Sequence, residues 1–300
     1  MAESLCYPDE AGAQRLHQHR CRGMADTAVI YLARKGNHPR FSRAFLHSLI
    51  ACPAGADFDL VYLLKGYGDG ESDPNLAVFR GAIPHAIHEL RCLDENFATN
   101  VVLDAAAGLH HQRIMFLTSY SRILAPGWMA AYLDAFERTP SCGIVGATGG
   151  FEVIPGTTFP NVNVRHNACL LERKLFLDID PGPLKTKLDG NRLEAGPNSM
   201  TRQIINRRLA PVIVDRFGKA WGVEDWPRSR TFRSGRQEGL LIADNRTHDY
   251  DVARPGKRRR LAVQNWGEQA NVTRVSMFAR LASALRWRFP STPPPAGQGR

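Results

Sequence analysis

The sequence predicts an α/β domain built on a mostly parallel β-sheet with helices on both faces. Apolar, strand-like runs such as "TAVIYLA" (27–33) alternate along the chain with helical patterns such as "PRFSRAFLHSLIAC" (39–52). Alternation of this kind is typical of βαβ units. A chain of 300 residues with 43% apolar content is also large enough to bury one full core.

The first half of the chain supplies most of the predicted sheet. After the strand at 27–33 and the helix at 39–52, strands and helices continue to alternate. The further predicted elements are a strand at 58–66, a short helix at 74–82, a short strand at 88–93, a loop and helix at 95–110, a strand at 113–119, a helix at 126–139 and a strand at 142–148. Ligands of such sheets bind beyond the carboxyl ends of the strands, so a site is expected there.

The second half changes character at the Gly- and Pro-rich stretch 149–163, which continues neither periodicity. A strand and a helix follow within 164–179, then a loop and an amphipathic helix within 193–209, and a strand at 210–215. Residues 221–251 are polar and aromatic, which predicts a loop. The predicted organisation is a disordered extension at 1–24, one domain at 25–266, an amphipathic helix at 267–290 and a disordered tail at 291–300.

Charge and cysteine content narrow the functional class. Lys and Arg outnumber Asp and Glu by 39 to 29, which favours anionic partners such as nucleotides, phospholipid headgroups or nucleic acid. The basic run at 257–260 is short and no nucleic-acid-binding module accompanies it, so nucleic acid is not expected. The cysteines form no CxxC pair, and the sequence contains neither a signal-peptide core nor a run long enough to span a bilayer, so we expect a cytoplasmic protein.

A series of landmarks follows these elements: "AVIYLARKG", "ATNVVLDAAAG", "IMFLTSYSRILAPGWM", "GIVGATGGFE", "RHNACLLERKLF" and "LEAGPNSMTRQI". In their order and spacing, over about 26–266, they resemble the GT-A fold of nucleotide-sugar glycosyltransferases. The resemblance is strongest to a bacterial family 2-like branch that lacks the Asp-x-Asp motif. It implies a GT-A-like fold and an inverting hexosyltransferase that moves a sugar from a nucleotide-sugar donor to a cell-surface glycan or a lipid-linked acceptor.

The loop after the strand at 113–119 stands where the resembled family binds a divalent cation. This chain has Ser119, Tyr120 and Ser121 there, and hydroxyls bring no charge to offset the dehydration of Mg²⁺ or Mn²⁺. No metal cofactor is therefore expected, and Arg122, or else Lys65 or Arg34, would supply positive charge to the diphosphate instead. A metal held by other ligands remains the alternative. A second interpretation is that the hydroxyls cap the helix entered at Pro126.

Further donor-side candidates lie at the ends of the first two strands and on the helix before the central strand. Ala33 and Arg34 end the first strand, and Lys65 ends the second. Asn100 and Asp104 are spaced so that they face one way from a helix. The resemblance places such residues beside the nucleotide.

Glu194 is the candidate general base. Inverting transfer needs a group that takes the proton from the acceptor hydroxyl. In the resembled family this acid opens a helix after the acceptor-side strand, and "LEAGPNSMTRQI" corresponds to that place. The alternative is a surface glutamate that favours a helix dipole. Glu224 and Asp225 are the rival bases.

Acceptor-side candidates surround this glutamate in the sequence. His166 and Asn167 could hydrogen-bond a sugar, and Gly196 would permit close approach or a positive φ angle. Trp226 would offer an apolar face to a sugar ring within a lid at 221–251. The segment "KTKLDG" (185–190) reads either as a flexible lid or as a solvated turn.

The C-terminal helix carries an apolar stripe of Val275, Phe278, Leu281, Leu285 and Phe289, with arginines between these positions. This composition suits an anionic membrane surface, where a lipid-linked acceptor would be found, and it suits equally well packing on the domain or on a partner subunit. A protein that binds nucleotide sugars without catalysis is the alternative to a transferase.

Overall fold

The computed structural model describes residues 25–94 and 98–288. The predicted extension at 1–24 and the predicted tail at 291–300 lie outside the described residues. Phe289, the last residue of the predicted stripe, also lies outside them. Among the described residues, no helix combines the length and the apolar character that crossing a bilayer requires.

The strands form one large sheet and two small ribbons. They are β1 (Thr27–Arg34), β2 (Asp59–Lys65), β3 (Ile87–Cys92), β4 (Arg113–Leu117), β5 (Arg122–Ile123), β6 (Cys142–Gly146), β7 (Gly149–Gly150), β8 (Asn163–Val164), β9 (Cys169–Glu172), β10 (Ala210–Val214), β11 (Ala220–Trp221) and β12 (Ile242–Ala243). The large sheet has the order β11-β10-β6-β9-β4-β1-β2-β3, and the ribbons pair β12 with β5 and β7 with β8. Only β9 and β11 run against the other strands of the large sheet.

Helices connect the strands. They are α1 (Arg40–Ala51), α2 (Pro74–Phe79), α3 (Ala98–Gly108), α4 (Trp128–Arg138), α5 (Arg173–Leu177), α6 (Lys187–Ala195), α7 (Met200–Asn206), α8 (Asn245–Val252), α9 (Pro255–Trp266) and α10 (Met277–Arg288). Short 3₁₀ turns occupy Arg80–Ala82, Val223–Arg228 and Gly267–Gln269.

Both faces of the sheet are covered, because successive residues of the central strands point to opposite sides. Tyr31 of β1 packs in one apolar cluster with Phe45 of α1 and Trp128 of α4. Its neighbour Ile30 packs in the second cluster with Val101 of α3. The predicted class, a mostly parallel α/β sheet with helices on both faces and a C-terminal amphipathic helix, is confirmed.

The predicted loop at 221–251 and the predicted helix at 267–290 both differ from the structure. The loop segment contains β12 and α8, and α8 starts at a capping box in which Asp244 and Thr247 exchange hydrogen bonds. The C-terminal helix begins only at Met277, because Gly267 (φ 57°) ends α9 and Val272 bridges to Gly235. The polar composition of 221–251 did not predict α8. The apolar spacing that predicted the C-terminal helix begins at Val275, before the first residue of α10.

Candidate functional site

The carboxyl ends of β1, β2 and β4 meet at one edge of the sheet, as parallel neighbours must. A cavity of about 310 Å³ opens at this edge, between the end of β1, the start of α1 and the segment that leads into α2. We call it the edge cavity. Its volume lies at the lower end of the range typical of small-molecule sites.

Aromatic and charged side chains line the edge cavity together. Phe41 and Tyr67 supply rings, and Lys35 pairs with Glu71 at 2.6 Å. Asp73 is buried, accepts a hydrogen bond from Tyr62 at 2.8 Å, and caps α2. Flat apolar rings beside a few fixed polar groups are the chemistry that orients an aromatic ligand with hydrogen-bonding edges.

Arg34 and Lys65, both predicted to face a phosphate, are bound to one carboxylate. Arg34 makes a bidentate pair with Asp94 at 2.7 and 2.9 Å, and buried Lys65 contacts the same carboxylate at 2.9 Å. The hydrogen bonds from Arg34 and then Lys65 hold the pKa of Asp94 well below its usual range. The pair of cations therefore offers less positive charge than predicted. Ala33 and Arg34 do line the edge cavity.

The loop after β4 is held in place by its hydroxyls. Ser119 donates to the Leu32 carbonyl at 2.7 Å, which ties the loop to β1. Ser121 is fully buried and donates to Oδ1 of Asn167 at 2.6 Å, and Thr118 donates to the same oxygen at 3.1 Å. Ser119 lines the edge cavity, whereas Ser121 has no surface from which to contact a phosphate, which corrects the prediction for that residue.

The alternative reading of this loop as a helix cap is also wrong. The next helix, α4, begins at Trp128 rather than at Pro126, and its cap residue is Gly127 with φ 72° and no side-chain hydrogen bond. The backbone N–H groups of Met129 and Ala130, in the first turn of that helix, donate to the Ala54 carbonyl instead.

Tyr120 and Arg122 point toward different neighbours. Tyr120 packs edge-to-face on Phe41, with ring centroids 4.8 Å apart. Arg122 lies in β5, stacks on the Trp287 ring at 4.0 Å and donates to the Trp287 carbonyl at 2.5 Å. Burial, and then the charge of Arg40, lower the pKa of Arg122 to about 10. His248 of α8 stacks on the same indole at 4.4 Å, so α10 lies directly over the loop's arginine.

Glu194 lies beside a buried arginine. Arg165 contacts it at 3.4 Å and contacts Asp244 at 3.9 Å, while the Glu194 side chain keeps 24% of its surface exposed. Burial alone would raise the pKa of Glu194, but Arg165, His166 and Arg246 together lower it below its ordinary value. The carboxylate is therefore ionised at neutral pH and can accept a proton.

The sequence predicted that Glu194 opens a helix, and this prediction is wrong. Glu194 lies in the last turn of α6, and α7 begins only at Met200. A surface role at a helix N-terminus is excluded for the same reason.

His166 and Asn167 connect Glu194 to the loop after β4. The backbone N–H of His166 donates to Glu194 at 3.3 Å, and Asn167 accepts from Ser121 on the other side. Burial lowers the pKa of the His166 imidazole despite the opposing charge of Glu194. Nε2 of His166 and Nδ2 of Asn167 are both buried without a hydrogen-bond partner.

Gly196 and Trp226, both predicted to contact an acceptor, have structural roles. Gly196 ends α6 with φ −79°, so no left-handed conformation is needed. A side chain there would lie 2.5 Å from the Arg192 carbonyl oxygen. Trp226 is fully buried and packs against Gly149 and Phe151, so it presents no face to a sugar.

The rival bases and the helix residues lie in other surroundings. Glu224 is exposed, and Asp225 pairs with Arg228 within the same 3₁₀ turn. Asn100 donates to the Leu184 carbonyl at 3.3 Å, which links α3 to the segment before α6. Asp104 lies one turn further along α3.

The comparisons with known proteins give only distant structural likenesses. No protein-family model matches the chain, and no curated protein matches it by sequence. Solved structures that resemble it include TarS from S. aureus, with a TM-score of 0.36, 12% identity, and coverage of 52% of this chain and 30% of TarS. This chain therefore spans less than a third of TarS.

Two further structures cover more of the chain. A protein from Desulfovibrio desulfuricans G20 described as a nucleotide-diphospho-sugar transferase has a TM-score of 0.37 and 12% identity, covering 64% of this chain and 80% of that one. The galactosyltransferase LgtC, in complex with donor and acceptor sugar analogs, has a TM-score of 0.47 and 12% identity, covering 83% and 84%. All these TM-scores are below 0.5, so neither substrate nor mechanism is carried over to this chain.

The loop after β4 does not fit a divalent cation. Its hydroxyls bring no charge, and those of Thr118 and Ser121 already bind Asn167. Within 25–94 and 98–288, no cluster of His, Cys, Asp and Glu side chains has the makings of a metal site.

Three residues of this region were not assigned a role from the sequence. Asp94 could have been found, because it follows the short strand β3 at its carboxyl end. Asp244 carried the signal of a helix start, Asp followed three residues later by Thr. Arg165 carried none, since nothing local predicts that it lies between Glu194 and Asp244.

Proposed function

We propose that this protein is a GT-A-like glycosyltransferase of the inverting, hexose-transferring kind. The observation that carries the proposal is the continuity of the site. The edge cavity at the strand ends shares Ser119 with the loop after β4, and hydrogen bonds lead from that loop through Asn167 to the segment that holds Glu194. A donor pocket and a base would thus be joined by one rigid path.

In this proposal the edge cavity holds the nucleoside of a nucleotide-sugar donor. The nucleobase packs against Phe41 or Tyr67, and the diphosphate extends over the loop after β4. Arg122 supplies the nearby positive charge, and Arg34 contributes if the phosphate shares it with Asp94. Neutralising the leaving diphosphate in this way requires no metal at the loop.

Glu194, whose side chain keeps 24% of its surface exposed, acts as the general base toward an acceptor hydroxyl, and His166 and Asn167 join it to the loop after β4. The acceptor is a cell-surface glycan or a lipid-linked sugar, met at a membrane surface from the cytoplasmic side. A nucleotide-sugar-binding protein without catalysis is the second candidate, favoured by the absence of carboxylates from the loop. Detection of sugar transfer or donor hydrolysis separates the two.

Purified protein should be screened by thermal shift against a panel of nucleotide sugars. A ligand that binds only the native state stabilises it, by about 2.7 kcal/mol when the ligand is present at one hundred times its Kd. The melting temperature rises as a result. At least one donor should produce a shift, and both the shift and the transfer should persist in EDTA.

Matched controls distinguish the parts of this proposal. The free nucleotide should shift the protein as well, whereas the free sugar should not. No shift with any nucleotide sugar would reject the transferase and the binding protein alike. Loss of transfer in EDTA with recovery on Mn²⁺ would reject metal independence alone.

A further inference from the structure

In the part of the chain that the structure describes, helix α10 contacts the domain through the side that carries Trp287. Trp287 lies against Arg122 and His248, and the helix packs along α8. The predicted apolar stripe faces the other way. Its members in the described helix, together with Met277, form what we call the outer stripe: Met277, Phe278, Leu281 and Leu285, with 59%, 79%, 54% and 57% of their surfaces exposed.

The outer stripe is one continuous surface. Positions 277, 281 and 285 are one helical turn apart, and 278 lies beside them, so the side chains follow a single line along α10. Phe278, Leu281 and Leu285 do not pack on the domain, which was one of the predicted alternatives, and packing on a partner subunit stays a prediction. A row of large apolar side chains left in water at this exposure is typical of an interaction surface.

The net charge of the segment that carries the outer stripe indicates its occupant. From 271 to the end of the sequence the chain contains arginines at 274, 280, 286, 288 and 300 and no aspartate or glutamate. Two copies of α10 packed stripe to stripe would bring two segments of net positive charge together, which opposes self-association. Anionic lipid headgroups would instead neutralise them while the acyl boundary received the apolar side chains.

We infer that the outer stripe of α10 is a docking surface for an anionic lipid bilayer. The helix would lie in the plane of the membrane, with the stripe in the headgroup and acyl boundary and Arg274 at the headgroups. Docking rests on the proposed location at a membrane, but it does not depend on sugar transfer. Because the inner side of the same helix contacts Arg122, the site would stand next to the lipid surface.

The test uses the full chain and sedimentation with vesicles. The protein should sediment with phosphatidylcholine vesicles that contain phosphatidylglycerol, not with phosphatidylcholine alone, and added salt should release it. Phe278→Ser combined with Leu281→Ser should weaken binding at least about tenfold, because two large apolar side chains are no longer buried. Arg274→Gln should weaken it by about fivefold.

Phe217→Ser is the matched control, because Phe217 is a phenylalanine with 77% of its surface exposed on the turn between β10 and β11. Its binding to the vesicles should equal that of the unchanged protein.

The inference is overturned if the double variant binds the vesicles as well as the unchanged protein does, or if the unchanged protein does not bind at low salt. A dimer in solution that the double variant converts to monomer also overturns it, since the surface would then serve a second copy. The nucleotide thermal shift of the double variant should be unchanged, which separates this inference from the proposed transferase activity.

Discussion

Arg165 decides how Glu194 behaves. This buried arginine lies between two carboxylates, Glu194 at 3.4 Å and Asp244 at 3.9 Å, and leaving any one of the three charges unpaired away from water is costly. A base with a lowered pKa is a weaker proton acceptor, but it is fully ionised across the neutral range. The arrangement therefore favours availability of the base over its strength.

Glu194→Gln tests this role. The amide keeps the shape of the side chain and cannot take a proton, so transfer should fall by about a hundredfold or more. The donor-induced thermal shift should persist, because the edge cavity is not altered. Since the pKa of Glu194 is lowered, the acid limb that it causes in the pH profile of the unchanged enzyme should lie below about 4.3, the ordinary value for glutamate.

Glu224→Gln is the control for that substitution, since Glu224 is an exposed glutamate outside the contacts of Arg165. Its turnover should match the unchanged enzyme. Near-normal turnover of Glu194→Gln, with loss in Glu224→Gln or Asp225→Asn, would transfer the role of base to the 3₁₀ turn.

Single residues were predicted unevenly from the sequence. Glu194 was identified, but its surroundings were not, because Arg165 comes close to it only through the fold. Ser121 was placed in the correct loop and assigned a ligand that it cannot reach. Ser121 is buried against Asn167, which is distant in the sequence, and no local sequence pattern predicts such a contact.

At the scale of elements, α6 positions the candidate base. The segment "KTKLDG" was read as a lid or a turn, yet it begins this helix. Thr186 accepts from the Asp189 N–H, and the Asp189 side chain accepts from the Thr186 N–H. The helix has a weak apolar pattern, so its capping box is the stronger local signal. Glu194 lies at the opposite end, where its position depends on the helix being formed.

Thr186→Ala should lower the free energy of unfolding by about 1 kcal/mol, because the N-cap hydroxyl is lost. Urea denaturation measures the change. Thr186→Ser keeps the hydroxyl and should be close to the unchanged protein. Equal losses in both variants would show that the methyl group, and not the cap, matters here.

Elements with strong periodicity were predicted well, and those defined by contacts were not. The alternating strands and helices up to β6 match the sequence pattern, since each buries an apolar face against the sheet. In 221–251 the chain is polar, and α8 is helical because of its capping box and the burial of Tyr250. Such short polar helices lack the apolar spacing on which sequence prediction depends.

At the scale of the whole molecule, the two edges of the sheet have different chemistry. The carboxyl edge carries the edge cavity. The amino edge carries a buried cluster in which Asp59, the first residue of β2, lies 2.9 Å from Nε2 of His111 and 3.7 Å from Nε2 of His88. These residues belong to β2, β3 and the segment before β4, so the cluster joins three neighbouring parts of the sheet.

Asp59→Asn should destabilise the protein by about 2 kcal/mol at neutral pH, because a buried carboxylate that accepts a hydrogen bond from His111 and lies 3.7 Å from His88 loses its charge. Burial would raise the pKa of Asp59, but His111 and then His88 hold it well below its usual range. A lowered folded-state pKa contributes stability that is present above the unfolded value, about 3.9, and is lost as the pH falls through the folded value. The difference in free energy of unfolding between the unchanged protein and Asp59→Asn, measured by urea denaturation, should therefore narrow below about pH 3.9.

Asp57→Asn, at an exposed position two residues earlier, is the control and should change the free energy of unfolding by less than about 0.5 kcal/mol. A difference between the unchanged protein and Asp59→Asn that stayed constant at low pH would mean that Asp59 acts through its shape rather than through its charge.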